Sequence, residues 1–180
     1  MSTAVYLIGA PGVGKSTVMK LITQALSGDE GDLIPEPIPH IRYANGWAQL
    51  GARREGFPGT DTLNYTAINP VEVWIDSPDR PKRLLAEGDR LAIDRMMETL
   101  YDNYSQFLLI HLTAQPAISY ERMTARAEQL GREPQNEAWW RGRTTKSINL
   151  AARWNAHEVS AERSAQHAAD DVLALIAQDT

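Results

Sequence analysis

Residues 4–17 read AVYLIGAPGVGKST, and this stretch decides the fold. The apolar run at 4–8 predicts a buried strand, and the following GAPGVGKST matches the Walker A pattern G-x-x-x-x-G-K-[ST]. Apolar residues from 18 to 26 recur at helical spacing, with Gly28 as a plausible stop. This order of a strand, a glycine-rich turn and a helix points backbone N–H groups toward a bound phosphate. The predicted nucleotide-binding residues of this loop are Gly9, Ala10, Pro11, Gly12, Val13, Gly14, Lys15, Ser16 and Thr17.

The chemistry of this loop predicts ATP and Mg²⁺ as cofactors. Lys15 can reach the outer phosphates and contribute to catalysis, while the Ser16 hydroxyl can bind the metal ion. A glycine-rich turn without a ligand is the structural alternative, but a strand before the motif and a periodic helix after it make that alternative weak.

Composition limits the chain to one enzyme-sized domain, expected to span residues 1–180. Of its 180 residues, 43% are hydrophobic and none is cysteine, which excludes disulfides and thiolate metal sites. No basic and apolar leader precedes the first strand, and no apolar run approaches the roughly 20 residues of a membrane span. We expect no membrane association and a cytoplasmic location. The oligomeric state cannot be read from the sequence.

Strand-like and helix-like segments alternate along the chain. This order predicts an α/β fold with a doubly wound parallel sheet of five strands and helices on both faces. The segment 41–78 is interpreted as one or two helices broken at residues 56–59. The predicted strands are 3–8, 32–35, 82–86, 107–112 and a weak one at 158–161; the clearest helices are 15–27, 116–129 and 137–155.

Charged groups follow the predicted strand at 82–86, where LLAEGDRL occupies residues 84–91. Ligands bind beyond the carboxyl ends of parallel strands, and a phosphate-loop enzyme needs a carboxylate near Mg²⁺. Glu87 and Asp89 are therefore both candidate metal ligands, and the spacing does not choose between them. Helix capping is the alternative role for either. Arg90 is a candidate catalytic residue that holds phosphate or developing charge, or else a surface arginine.

Arginines after the fourth strand predict a lid at about 126–137. Arg122 and Arg126 share a helix face, and Arg132 follows in a glycine-containing turn. Such groups can neutralise phosphoryl oxygens when a lid closes, so Arg122 and Arg132 are predicted to bind ATP and Arg126 to be catalytic. Residues 122–153 hold seven arginines and lysines against three glutamates, although the whole chain carries −5. This local basic charge can bind the phosphates of either a nucleotide or a nucleic acid.

The segment 42–66 is rich in groups that stack on bases or bind their edges. Core packing is the alternative for each of its aromatic residues. The turn at 59–61 is the best candidate for contact with the acceptor. The predicted substrate-binding residues are Arg42, Tyr43, Arg53 and Asp61, with Trp47, Arg54, Phe57, Asn64 and Tyr65 as further candidates.

Together with the Walker loop, the segments LIPEPIPH at 33–40, GFPGTDTLNY at 56–65 and LLAEGDRL at 84–91 resemble the thymidylate kinase and deoxynucleoside kinase superfamily. More narrowly, the chain is similar to phage 5-hydroxymethyl-deoxyuridine DNA kinases. The resemblance implies a P-loop kinase fold and transfer of the ATP γ-phosphate to the 5-hydroxymethyl group of modified uracil in DNA, in the cytoplasm of a host cell. It also implies that Glu36, in a Pro-Glu-Pro segment, is the catalytic base. Thymidylate kinases show Asp-Arg-Tyr after the third strand, whereas this chain has Glu87-Gly88-Asp89-Arg90-Leu91.

Two other functions are compatible with parts of this pattern. A kinase of free deoxynucleosides or nucleoside monophosphates would use the same machinery, and the acidic net charge favours it mildly. A P-loop ATPase or GTPase switch would hydrolyse nucleotide without an acceptor, but no Asn-Lys-x-Asp motif for guanine is present.

Overall fold

Seven strands form one mixed sheet in the computed structural model, which describes residues 1–28, 30–53 and 58–178. The strand order is β2-β3-β4-β5-β1-β6-β7, with β1 between two parallel neighbours, β5 and β6. β4 is parallel to β5 and β7 is parallel to β6, whereas β3 runs antiparallel to both β2 and β4. The strands are β1 Thr3–Gly9, β2 Asp32–Ile34, β3 His40–Arg42, β4 Trp47–Leu50, β5 Arg83–Glu87, β6 Gln106–Thr113 and β7 His157–Ser160.

Helices cover both faces of this sheet, as the alternating pattern predicts. One hydrophobic core joins the sheet to α2, α3 and α5, and a second core joins its other face to α1 and α6. β1 contributes to both cores because successive side chains of a strand point to opposite faces. The helices are α1 Lys15–Ser27, α2 Ile68–Asp76, α3 Asp94–Asn103, α4 Pro116–Gln129, α5 Glu137–Arg153 and α6 Ala165–Gln178.

The region between α1 and α2 corrects the prediction of five parallel strands. Residues 41–50, interpreted as helical, instead belong to two short strands joined by a tight turn in which the Gly46 N–H donates to the Tyr43 carbonyl. Asn45-Gly46 in this turn is a strong hairpin signal, because both residues tolerate positive φ. A helix begins only at Ile68. Of the predicted break at 56–59, residues 56 and 57 lie outside the described residues.

The predicted lid corresponds to the connection between α4 and α5. Residues 131–136 carry no helix or strand, and Asn136 caps α5 by accepting from the Trp139 N–H at 2.9 Å. The connection is exposed. None of the helices in the described parts of the chain is long and apolar enough to cross a membrane.

Candidate active site

The phosphate loop follows β1 and turns through glycines with positive φ. Gly12 has a φ of 83° and Gly14, which caps α1, has a φ of 109°, values that a side chain would strain. A Cβ at Gly12 would lie 2.0 Å from the carbonyl oxygen of Ser119, so the loop packs directly on α4. α1 begins at Lys15, and the first N–H groups of this helix have no partner within the helix. The loop and helix therefore form an anion-binding end beside β1.

Lys15, Ser16 and Glu87 converge beside this loop. The Lys15 Nζ donates to the carbonyl oxygens of Gly9 at 2.9 Å and Ala10 at 3.1 Å, and the Ser16 hydroxyl donates to Glu87 Oε1 at 3.2 Å. Glu87 is 2% exposed, and this burial raises its pKa to about 7, against the opposing effect of the Lys15 charge. Burial also lowers the pKa of Lys15, which Glu87 partly offsets.

The two predicted metal ligands have different surroundings. Asp89 pairs with Arg143 and with Lys146, whose Nζ lies 3.0 Å from Asp89 Oδ1, so its charge is already matched. Glu87 instead faces the Ser16 hydroxyl. A hydroxyl and a carboxylate fit Mg²⁺, which takes one or two protein ligands and completes its shell with phosphate and water. The described residues contain no group of three or more acidic or histidine side chains that could hold a metal by themselves.

The turn at 59–61 is attached to the end of β5. Thr60 Oγ1 donates to the Glu87 carbonyl at 3.0 Å, and Asp61 Oδ1 accepts the backbone N–H groups of Asp89 at 3.1 Å and Arg90 at 3.0 Å. A Cβ at Gly59 would lie 2.6 Å from Glu87 Oε1. The predicted acceptor turn therefore contacts the carboxylate that faces the phosphate loop.

Two arginines next to this turn stack on exposed aromatic rings. The Arg90 guanidinium lies 3.8 Å from the ring centroid of Tyr65, which is 88% exposed, and Arg90 also donates to the Leu63 carbonyl at 2.9 Å. Arg143, which pairs with Asp89, lies 5.5 Å from the ring centroid of the partly exposed Trp139. Accessible aromatic rings thus lie against Arg90 and against the arginine that pairs with Asp89.

The arginines of α4 have different positions. The charge of Arg126 influences the pKa of both Lys15 and Glu87, so this side chain lies near the phosphate end of the site. Arg122 donates to the Ala161 carbonyl at 3.4 Å, near the end of β7. Arg132 is exposed in the connection to α5, where its backbone N–H donates to the Ala127 carbonyl.

Other predicted residues are not brought beside Glu87. Glu36 is exposed in the connection from β2 to β3, and β3 and β4 separate β2 from β5. Because β3 is antiparallel, Arg42 and Tyr43 lie toward the opposite edge of the sheet from the phosphate loop. Tyr43 is buried and donates to Gln49 Oε1, while Arg53 donates to the Glu30 carbonyl and the Tyr43 hydroxyl. Arg54 and Phe57 lie outside the described residues.

Sequence reasoning missed the role of Trp140. Its indole Nε1 donates to the Pro11 carbonyl at 3.0 Å and its ring packs edge-on against Tyr120, so the first turn of α5 supports the phosphate loop. Helical periodicity assigns Trp140 to an apolar face of α5. Only the approach of α5 to the end of β1 shows which backbone group the indole meets.

The chain was compared with known proteins and with a family model. The structure is similar to a gluconokinase from Sinorhizobium meliloti 1021 at 12% identity, covering 99% of this chain and 95% of that one with a TM-score of 0.57. A shikimate kinase from Acinetobacter baumannii matches at 19% identity over 98% and 94% of the two chains, with a TM-score of 0.47. A search of curated proteins finds no match. The family model described as P-loop Nucleotide Kinase3 matches residues 1–172, so the chain belongs to this family of P-loop kinases and is a phosphotransferase.

Proposed function

We propose that this kinase transfers the γ-phosphate of ATP to a primary hydroxyl, that of the 5-hydroxymethyl group of 5-hydroxymethyluracil in DNA. The observation that carries the transfer chemistry is the convergence of Lys15, Ser16 and Glu87 at the phosphate loop, with the acceptor turn in contact with Glu87. The resemblance of three sequence segments to hydroxymethyl-deoxyuridine DNA kinases supports the choice of acceptor.

Ser16 and Glu87 would hold Mg²⁺, while Asp89 orients Arg143 and Lys146 on α5. The bound ion would neutralise charge on the β- and γ-phosphate oxygens. Lys15 would bind the same oxygens from the loop, and Arg126 would approach them from α4.

Asp61 is the carboxylate best placed to orient the acceptor hydroxyl. In the transfer, the acceptor oxygen forms a bond to the γ-phosphorus, the bond from that phosphorus to the ADP oxygen breaks, and the hydroxyl proton passes to a carboxylate. Asp61 is bound to the backbone of residues 89 and 90, just after Glu87, whereas Glu36 lies in the connection between β2 and β3, which β4 separates from β5. This difference favours Asp61 over Glu36 as the base.

Tyr65 and Trp139 favour an acceptor that carries a base. Each ring is accessible and lies against an arginine, and bases stack on such aromatic and guanidinium surfaces. The basic stretch 122–153 offers charge for a DNA backbone. The net charge of −5 instead favours a free nucleoside or nucleoside monophosphate, which is the second candidate acceptor.

A transfer assay with γ-labelled ATP and Mg²⁺ tests the proposal. Its acceptors are duplex DNA with 5-hydroxymethyluracil, the same duplex with thymine, and a panel of free nucleosides and monophosphates. We expect label on the hydroxymethylated duplex only, because thymine lacks the hydroxyl, together with DNA affinity that falls steeply as salt rises. Label confined to free nucleosides or monophosphates would refute the DNA acceptor and leave a small-molecule kinase.

A further inference from the structure

A second cavity lies on the α5 side of β6 and β7. Its volume is about 470 Å³, within the range of small-molecule sites. β6 and β7 form its floor, the start of α4 and one face of α5 form its walls, and Ala10 of the phosphate loop closes one end. Glu87 belongs to β5, on the other side of β1, so the cavity and the metal-binding carboxylate lie on opposite sides of the central strand.

The floor of this cavity holds a buried imidazole. His111 is only 9% exposed, and its ring forms no hydrogen bond with the described residues. It faces α5 because it alternates with Leu109, which packs in the α5-side core. Its ring nitrogens retain accessible surface and the residue lines the cavity, so their hydrogen-bonding capacity is available to a molecule bound there.

The other hydroxyls of the walls are already satisfied. Ser119, Thr144 and Ser147 each donate to a carbonyl oxygen of their own helix at 2.9 to 3.1 Å. Glu158 is paired in register with His111 on the neighbouring strand and accepts from Thr113 Oγ1 at 3.4 Å. The remaining hydrogen-bonding capacity therefore lies with the imidazole and this carboxylate on the floor and with the Asn155 amide at the end of α5.

These groups define the chemistry of the ligand. The described lining residues include no lysine or arginine, and Glu158 is acidic, so the cavity disfavours phosphate. Burial lowers the pKa of His111, so the ring is neutral near pH 7 and offers one N–H donor and one nitrogen acceptor. Trp140, Ile148 and Ala151 supply apolar walls for a flat molecule.

We infer that this cavity binds a neutral nucleoside whose base has an amino group beside a ring nitrogen, as in adenosine or cytidine. Such an edge donates to Glu158 or His111 and accepts from the His111 N–H, while the ring packs against the face of α5 that carries Trp140, Ile148 and Ala151. The site is distinct from the ATP site and does not depend on which acceptor the kinase uses. Its closest link to catalysis is Trp140, which also donates to Pro11 of the phosphate loop.

Calorimetric titration of the full chain with adenosine, cytidine, inosine and uridine tests this inference, together with NMR of the histidine ring nitrogens. We expect adenosine or cytidine to bind and to shift the His111 ring signals, and inosine and uridine, which lack the amino group, to bind at least tenfold more weakly. His111→Leu and the rim substitution Ala152→Trp should each weaken binding at least tenfold. The matched control Thr145→Trp lies on exposed α5 surface that does not line the cavity and should leave binding unchanged.

Lys15→Ala separates this site from the ATP site. Nucleoside binding should persist in this variant and in saturating ATP with Mg²⁺. Loss of binding in either condition would place the nucleoside in the ATP site and overturn the inference. Absence of binding by all four nucleosides, or equal binding of inosine and uridine, would overturn it as well. If His111→Leu fails to fold, as judged by its melting curve, Ala152→Trp still decides between these outcomes.

Discussion

Asp61→Asn removes the proposed base while conserving the shape of the acceptor turn. Asp61 Oδ1 accepts two backbone N–H groups, from Asp89 at 3.1 Å and Arg90 at 3.0 Å. The Asn carbonyl oxygen can accept the same two N–H groups, but it cannot take the proton of the acceptor hydroxyl. The substitution therefore separates chemistry from the position of the turn.

Asp61→Asn should lower the rate of transfer more than it lowers the stability of the fold. Loss of a general base costs about 10²–10⁴ in rate, which corresponds to roughly 3–5 kcal/mol in the activation barrier. In the two hydrogen bonds from the backbone, a neutral amide oxygen replaces the charged carboxylate oxygen as acceptor. This change costs about 1–3 kcal/mol of stability in total. Glu36→Gln should change the rate less than about threefold, because Glu36 lies between β2 and β3, and even β3 is two strand spacings, or roughly 10 Å, from β5.

Steady-state phosphoryl transfer, measured as kcat and KM for both substrates, gives the rate effect, and urea unfolding gives the stability effect. We expect Asp61→Asn to lose kcat with little change in the KM for ATP. Asp61→Ala should lose additional stability because it leaves both N–H groups without their acceptor. If Asp61→Asn keeps more than a third of the activity while Glu36→Gln loses it, the base is Glu36 and the argument from strand order is refuted.

Three further predictions concern the phosphate end of the site. Lys15→Ala should lower transfer by at least about 10² and weaken ATP binding, as measured by titration; unchanged activity would contradict the role of the loop. Burial raises the Glu87 pKa from 4.5 to about 7. Between these pH values the Glu87 carboxyl is ionised in the unfolded chain but protonated in the folded chain. The free energy of unfolding therefore falls as the pH rises, by about 3 kcal/mol in total. Without Mg²⁺, Glu87→Gln should thus be more stable than the parent chain toward urea at pH 8 but not at pH 4, and equal stability at both would contradict the raised pKa. Gly12→Ala should abolish ATP binding because its Cβ meets the Ser119 carbonyl, whereas Gly14→Ala, strained in φ but with open space around its Cβ, should be milder in the same titration.

The segment that forms β3 and β4 differs most from its sequence-based prediction. Periodicity favours helix over 41–78, yet Asn45-Gly46 marks a hairpin, and the flanking residues pair with β2 and β5 instead. This hairpin places β3 and β4 between β2, the strand that Glu36 follows, and β5. A Pro-Glu-Pro segment after a strand therefore does not tell how far the glutamate lies from the phosphate loop.

Glu87 and Asp89 likewise have surroundings that the local sequence does not predict, although they are only two residues apart. Two carboxylates separated by one glycine are equivalent in the sequence as metal ligands. They differ because α5 brings Arg143 and Lys146 to Asp89, while β5 carries Glu87 to Ser16 across the parallel pair with β1. The pairing depends on residues more than 50 positions away.

The sequence by itself determined the phosphate loop and the alternation of strands and helices, because these follow from local backbone conformation and hydrophobic period. The class of reaction was indicated by the resemblance of its segments to P-loop kinases. The order of the strands, the separation of Glu36 from Glu87, the attachment of Asp61 to the end of β5 and the burial of His111 above a cavity were decided only in the tertiary structure. The physical reason is that each of these features depends on which distant segments of the chain pair and pack. A sequence motif reflects only the conformation and chemistry of residues that are close along the chain.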